Sequence, residues 1–289
     1  MTVQVRKAVF PIGGLGTRLL PATKSIPKEM LPVVDTPLIQ YAVDEALASG
    51  IEEIIFVSGR GKSAIEDYFD HNIELEYALN ERGKTTELAS VTGPTLTPGS
   101  IVYTRQQTAL GLGHAVWCAR DLVGDEPFAV LLADDLVMAD TPCLAQLIDV
   151  FTNTGGNVVA VMDVPREHTN RYGILDIAED DGKLVEIKGL IEKPAPKDAP
   201  STLSIIGRYV LLPEIFTELD RQERGTDNEI QLTDAMAWQI GRAPFHGLRF
   251  DGRRFDCGDK AEFLEANLAF ALTREDLASQ VREFLGDYI

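Results

Sequence analysis

Short apolar runs alternating with amphipathic segments predict an α/β fold, a Rossmann-like, mostly parallel central sheet flanked by helices. The runs are Lys7–Phe10, Ile54–Val57, Ile101–Thr104, Ala129–Leu132 and Val158–Met162; helical periodicity fills Leu38–Ser49, Ser63–Phe69, Leu112–Asp121 and Cys143–Asn153 between them. A further observation is the trio Gly173–Ala178, Leu184–Glu192 and Ser204–Leu212 around the turn sequence Asp180-Asp181-Gly182, which predicts a small antiparallel sheet beside the main one. Glu74–Ala89 reads as a charged, partly helical excursion, and Val91–Ser100, with Pro94, Pro98 and Gly99, as a loop. Leu232–Ile240, Asp259–Leu272 and Arg274–Leu285 read as helices, the C-terminal one free to pack on the fold or in a subunit interface.

Charge distribution narrows the function. The chain carries a formal net charge of -18, which argues against nucleic acid as a partner. Yet its first 28 residues hold five basic side chains (Arg6, Lys7, Arg18, Lys24 and Lys28) and no acid. A basic patch in an acidic protein points to bound phosphates. No apolar run approaches the ~18 residues of a membrane span, and the first strand begins too early for a signal peptide, so a cytoplasmic enzyme is expected. Cys118, Cys143 and Cys257 are too widely spaced for a zinc pattern or a disulfide framework.

The basic patch surrounds PIGGLGTRLLPATKSIPKEMLP, residues 11–32, directly after the first strand. Gly13, Gly14 and Gly16 let backbone N–H groups close around an anion. In P-loop and dinucleotide-binding proteins a helix starts at such glycines. Here Pro21, Pro27, Pro32 and Pro37 forbid a continuous helix, and the next helix start is Thr36-Pro37, a capping residue before a first-turn proline. The intervening segment reads as a cradle or lid. Gly61-Lys62-Ser63 imitates the end of a Walker A motif, but Phe56 stands where the first glycine is required, so an ATPase loop is rejected.

Other residues with fitting chemistry follow the strand-like runs, where open α/β sheets bind ligands. Asp134 and Asp135 leave Ala129–Ala133 as hard oxygen donors suited to Mg²⁺, or as plain turn residues. Gln106 carries an amide able to read a pyrimidine edge, and Gly111 lets backbone come near. Glu192-Lys193 pairs a hydroxyl-binding carboxylate with a phosphate-binding ammonium, or is a surface ion pair.

GGLGTRLLPATKSIPKEMLPV resembles the signature of the sugar-phosphate nucleotidyltransferases: G-G-x-G-T-R-L, P-x-T, then a lysine ten residues after the arginine. FVSGRGKSAIEDYFD at 56–70 and RQQTALGLGHAV at 105–116 are similar to the bacterial uridylyltransferase branch, and the likeness runs from Lys7 to about Phe270. It implies a nucleotide-diphospho-sugar transferase fold in one domain over 1–289. About 1–165 would bind nucleotide, about 166–260 sugar phosphate, and about 261–289 would form C-terminal helices. The implied reaction joins UTP and glucose 1-phosphate to give UDP-glucose and pyrophosphate, with Mg²⁺ as cofactor and a homodimer or homotetramer as assembly. The implied roles fall residue by residue. Gly13, Gly14, Gly16 and Thr17 cradle phosphates, with Arg18 and Lys28 neutralising them. Gln106, rather than Gln107, and Gly111 meet the uracil. Gly173, Glu192 and Lys193 bind the sugar phosphate. Asp134, and Asp256 in Asp256-Cys257-Gly258, hold the metal. Gly13 is shared with the thymidylyltransferase branch, which keeps a dTTP- or CTP-using relative as an alternative. A catalytically dead sugar-nucleotide-binding subunit is another, opposed by the intact set Arg18, Lys28, Asp134, Lys193 and Asp256.

Overall fold

The structure is a computed structural model and describes residues 4–288. Its strands are β1 Lys7–Pro11, β2 Pro32–Val33, β3 Thr36–Pro37, β4 Glu53–Ser58, β5 Ile101–Arg105, β6 Phe128–Leu131 and β7 Asp135–Met138. They continue as β8 Asn157–Asp163, β9 Gly173–Asp180, β10 Leu184–Glu192, β11 Leu203–Leu211, β12 Phe245–Arg249 and β13 Arg253–Asp256. Nine of them form one sheet in the order β5-β4-β1-β6-β11-β8-β12-β10-β9.

This sheet is mixed, which corrects the expectation of a mostly parallel one. Of its eight neighbouring pairs four are parallel and four antiparallel. The parallel block β5-β4-β1-β6 is wound through helical crossovers such as Leu38–Ala48 and Ser63–Tyr68. β11 then runs against both β6 and β8. Nor is the expected antiparallel sheet separate. β9 and β10 form a hairpin that adds to β12, with the Asp181 carboxylate accepting from the backbone N–H of Lys183 and Leu184 in its turn. Irregularities at Glu186–Gly189 bend the hairpin, and Ile174 of β9 pairs with Ser204 of β11. That pairing closes β11, β8, β12, β10 and β9 into a ring. It brings the Gly173–Glu192 end of the hairpin beside the carboxyl end of β8, because Ser204 also pairs with Met162.

Both faces of the sheet are covered, as the near-continuous apolar strands require. On β1, Val9 faces one core with Ile55 and Val130, while Ala8 and Phe10 face the other with Ile54 and Phe56. A third cluster sets Ala266 of the helix Lys260–Thr273 under Leu38, Leu136 and Phe255. This packs the helix on the fold, against a two-stranded sheet of β7 and β13 that the sequence reading did not anticipate. Two smaller corrections concern helices. Thr36 and Pro37 pair as β3 instead of capping, and the helix begins at Leu38 with Pro37 in the capping place. The segment Leu112–Asp121 splits into Leu112–Trp117 and Arg120–Val123.

One buried ion pair braces the centre. Arg208 of β11 is fully buried and donates from Nε and Nη2 to the Glu45 carboxylate at 2.8–3.0 Å. Its Nη1 donates to the carbonyls of Leu132 and Gly207, both at 2.9 Å. Neutralising Glu45 alone strands a guanidinium in the core. Glu45→Gln is expected to lower the unfolding free energy by about 3–5 kcal/mol in urea titration, and a loss below about 1 kcal/mol would contradict this role.

Candidate active site

The glycine segment, Gln106 and Asp134 all follow strands of the parallel block, so they emerge at one edge of the sheet. Gly16 adopts φ 65°, a left-handed conformation, and its carbonyl accepts from Thr23 Oγ1 at 2.7 Å. The prolines break the following chain into three short 3₁₀ turns, Thr17–Leu19, Ala22–Lys24 and Lys28–Met30, the last of which presents Lys28. This turn is pinned from beneath by Glu29, which accepts from Lys62 Nζ at 2.6 Å; both side chains are buried. The lysine of the false Walker motif therefore anchors the cradle.

Register brings the two candidate metal ligands together. β7 and β13 are antiparallel with Asp135 opposite Asp256, and the Cys257 N–H donates to the Asp134 carbonyl at 2.7 Å. Arg18 spans the pair, with Nη1 at 3.1 Å from Asp256 Oδ2 and Nη2 at 3.6 Å from Asp134 Oδ2. Lys28 Nζ donates to Asp134 Oδ2 at 2.5 Å. Burial by itself would push the Asp134 carboxyl up, but Lys28 and Arg18 outweigh it and hold it below the ordinary aspartate value. Burial would lower the Lys28 ammonium, and here Asp134 and Glu29 prevail and raise it.

Asp135 is turned away from this group. It accepts from the Gly207 N–H at 2.6 Å and pairs with Arg254, itself buried and 3.8 Å from Asp256. Arg254 is a site residue that sequence reasoning missed, although it lies in the quoted run RRFDCGD. Its carboxylate neighbours raise its already high pKa against the opposing effect of burial.

Two cavities, each of about 680 Å³, meet here. One is lined by the glycine segment with Thr17, Lys28, Gln106 and Gly111. The other is lined by Gly173, Glu192, Thr233, Arg254 and Asp256. Arg18, Asp134 and Lys193 line both. All the residues singled out in the sequence thus lie on one connected surface. Gln106 is buried in the first cavity while Gln107 is exposed outside it. A Cβ at Gly13 would come within 3.0 Å of Gln106 Oε1, so this glycine leaves room for the amide. Gly111 has φ 106°, and a Cβ there would strike Glu229 and Ile230. At the other end, Lys193 has a positive φ of 47° and its Nζ donates to Asp227 at 2.6 Å, a partner the sequence did not suggest. Burial raises the Glu192 carboxyl, opposed by a hydrogen bond from Thr233.

Comparison with known proteins places the chain in a family. A family model described as nucleotidyl transferase matches residues 7–272. The chain belongs to the nucleotidyl transferase family. Among its relatives, a UTP–glucose-1-phosphate uridylyltransferase of Komagataeibacter xylinus is 55% identical over 90% of this chain and 92% of its own. Another protein of that name from Bacillus subtilis (strain 168) is 49% identical over 98% of this chain and 96% of its own. A UTP-bound UGPase from Acinetobacter baumannii superposes with a TM-score of 0.90 at 40% identity, covering 98% of this chain and 99% of that one. A UDP-glucose pyrophosphorylase complexed with UDP-glucose gives a TM-score of 0.84 at 41% identity, over 94% and 100% of the two chains.

Within this transferase, Gly258 leaves the space that the Arg18 guanidinium occupies; a Cβ there would overlap it. Gly258→Ala meets the ends of two side chains, the Arg18 guanidinium and Asp256 Oδ1, and no backbone atom within the same distance, so the fold is expected to survive. If Arg18 neutralises phosphate as the sequence leads one to expect, displacing it is expected to lower kcat roughly 100-fold or more. Steady-state kinetics beside a thermal melt checks this, and undiminished kcat would show that Arg18 is misassigned.

Proposed function

We propose that this nucleotidyl transferase joins UTP and glucose 1-phosphate to form UDP-glucose and pyrophosphate. The observation that carries the reading is the junction of two cavities on Arg18, Asp134 and Lys193. It is supported by relatives named for that activity and by UTP-bound and UDP-glucose-bound structural neighbours. The nucleotide lies over the glycine segment, with uracil at Gln106 and Gly111, and the sugar phosphate lies at Gly173, Glu192 and Lys193. On this reading the part of the chain before about residue 165 supplies most of the nucleotide half and the part after it most of the sugar-phosphate half, with Arg18, Asp134 and Lys193 shared.

A phosphate oxygen of glucose 1-phosphate attacks the α-phosphorus of UTP as the bond to the β-phosphate oxygen breaks, and pyrophosphate departs. The nucleophile is already anionic at neutral pH, since the second pKa of a phosphate monoester is near ~6, so no side chain need take a proton. Catalysis is therefore positioning and charge neutralisation. Lys193 fixes the attacking phosphate at the junction, and its positive φ is a strain that a positioning role accounts for. Lys28 offsets charge at the α-phosphate, and Arg18 offers a fork to the departing pyrophosphate. Gly13, Gly14, Gly16 and Thr17 close around the phosphates.

The carboxylates of Asp134 and Asp256 fit Mg²⁺. Both are contacted by one guanidinium, and both are hard oxygen donors. Among the described residues no cluster of three or more metal-ligating side chains occurs. A pair of carboxylates completed by water and substrate phosphate is the environment Mg²⁺ favours. When bound there the ion would supply charge neutralisation at the phosphates.

A homodimer or homotetramer belongs to the same reading. Among the described residues no helix is long and apolar enough to cross a membrane. A cytoplasmic location is proposed with the three free cysteines as its support.

A pyrophosphate-release screen across four nucleoside triphosphates and several sugar 1-phosphates tests the reaction. UTP with glucose 1-phosphate is expected to turn over fastest; turnover with dTTP and none with UTP would overturn the assignment. Lys193→Ala is expected to raise KM for glucose 1-phosphate about 10- to 100-fold, the worth of a charged hydrogen bond, while KM for UTP changes little. Equal losses for both substrates would give Lys193 another role. Asp134→Asn is expected to abolish or shift the Mg²⁺ dependence of turnover, and an unchanged metal profile would remove it from the ligand set.

A further inference from the structure

We infer that His114 is a positioning residue for base choice: it locks the Gln106 amide with its NH₂ turned inward, so that only Oε1 faces the nucleobase. This rests on the reading above that Gln106 meets the base. The orientation follows from the two partners of one amide atom. The Gly111 carbonyl can only accept, so the amide atom 3.0 Å away is the donor Nε2. The same Nε2 lies 3.0 Å from His114 Nδ1. Its two hydrogens thus have two acceptors, which requires a bare Nδ1 and the imidazole proton on Nε2.

The helix Leu112–Trp117 supplies this lock as a unit. Gly111 stands at its N-cap and His114 three residues on, the spacing at which helical groups share a face. The imidazole is buried, and its ring stacks on Trp117 with centroids 5.6 Å apart. Arg105, Arg120 and the Cys118 thiol line the same groove and, among the described residues, no carboxylate does; Cys118 Sγ lies 3.9 Å from Nδ1. Burial lowers the imidazole pKa, in the direction that keeps Nδ1 bare.

Oε1 is left as the reading atom. Among the described residues no side chain or backbone group donates to it, and it lies over Gly13 in the cavity of the glycine segment. A lone acceptor there receives the imide N3–H of uracil. Cytosine presents a bare N3 at that position, so two lone pairs would meet without a proton. The spacing Gln106, Gly111, His114 is therefore a discriminator between an imide base and cytosine. Without His114, one amide hydrogen is unpaired in a buried place, and only the Gly111 carbonyl still holds the amide in its reading pose.

The test compares kcat/KM for UTP and CTP in the unaltered chain and in His114→Phe, His114→Ala, His114→Asn and Gln106→Leu. His114→Phe and His114→Ala are expected to lower the UTP-to-CTP ratio about tenfold or more, the cost of an unpaired buried group. His114→Asn keeps an acceptor at the place of Nδ1 and is expected to bring the ratio back to within about threefold of the unaltered chain. If the phenylalanine variant does not fold, alanine against asparagine carries the same comparison. An unchanged ratio in the phenylalanine or alanine variant, or no recovery in asparagine, overturns the inference. If Gln106→Leu also leaves the ratio unchanged, the base-reading role of Gln106 fails; if it lowers the ratio while the acceptor-free His114 variants do not, only the part given to His114 fails.

Discussion

Everything at this site depends on holding charges of both signs at one point without letting either collapse the other. Arg18 and Lys28 on one side and Asp134 and Asp256 on the other lie within direct contact in a partly buried junction. An isolated charge in such a place is costly, and a pair is tolerable only with good geometry. The cations and carboxylates satisfy one another here. On the proposed reading, a polyanion entering the cradle would compete with the carboxylates for the cations, and a divalent cation would compete with the cations for the carboxylates. Bringing both at once would replace every pairing that either alone would break.

The fold keeps these groups from relaxing apart. Asp134 and Asp256 are fixed by the β7–β13 register and by the Cys257 to Asp134 backbone bond. Beneath them Arg254 pairs with Asp135, and Arg208 bridges Glu45 to the Leu132 and Gly207 carbonyls. Lys62 holds Glu29 under the Lys28 turn. Buried ion pairs of this kind often contribute no more to stability than apolar packing of the same volume. Their common effect is to fix the backbone from which a reacting charge projects. The ring closed through β9 and β11 does the same for Gly173 and Glu192.

Much of this was legible in the sequence because it is local. The glycine segment, the amide in Gln106, and aspartates placed just after apolar runs each declare their chemistry within a few residues. The parallel block was legible for the same reason, each strand being followed by a helical period. What escaped depends on contacts between distant segments. β11 lies reversed between β6 and β8, and no pattern within Ser204–Leu212 records its neighbours. β13 is four residues long and polar except for Phe255, so its strand character comes from pairing with β7. Arg254 reads as one more surface arginine until Asp135 is set against it. Lys62 resembles a phosphate ligand in sequence and proves to be a buried anchor, because Glu29 lies 33 positions earlier.

The most direct test of the central claim is calorimetric titration of Mg²⁺ into the chain with and without UTP. If cations and carboxylates are mutually satisfied at the junction, the metal competes poorly alone and UTP strengthens its binding to the protein by at least about tenfold, with the reciprocal effect of metal on UTP. That coupling is expected to vanish in Asp256→Asn. Equal metal affinity with and without UTP, after correction for the metal bound by free UTP, would contradict the account.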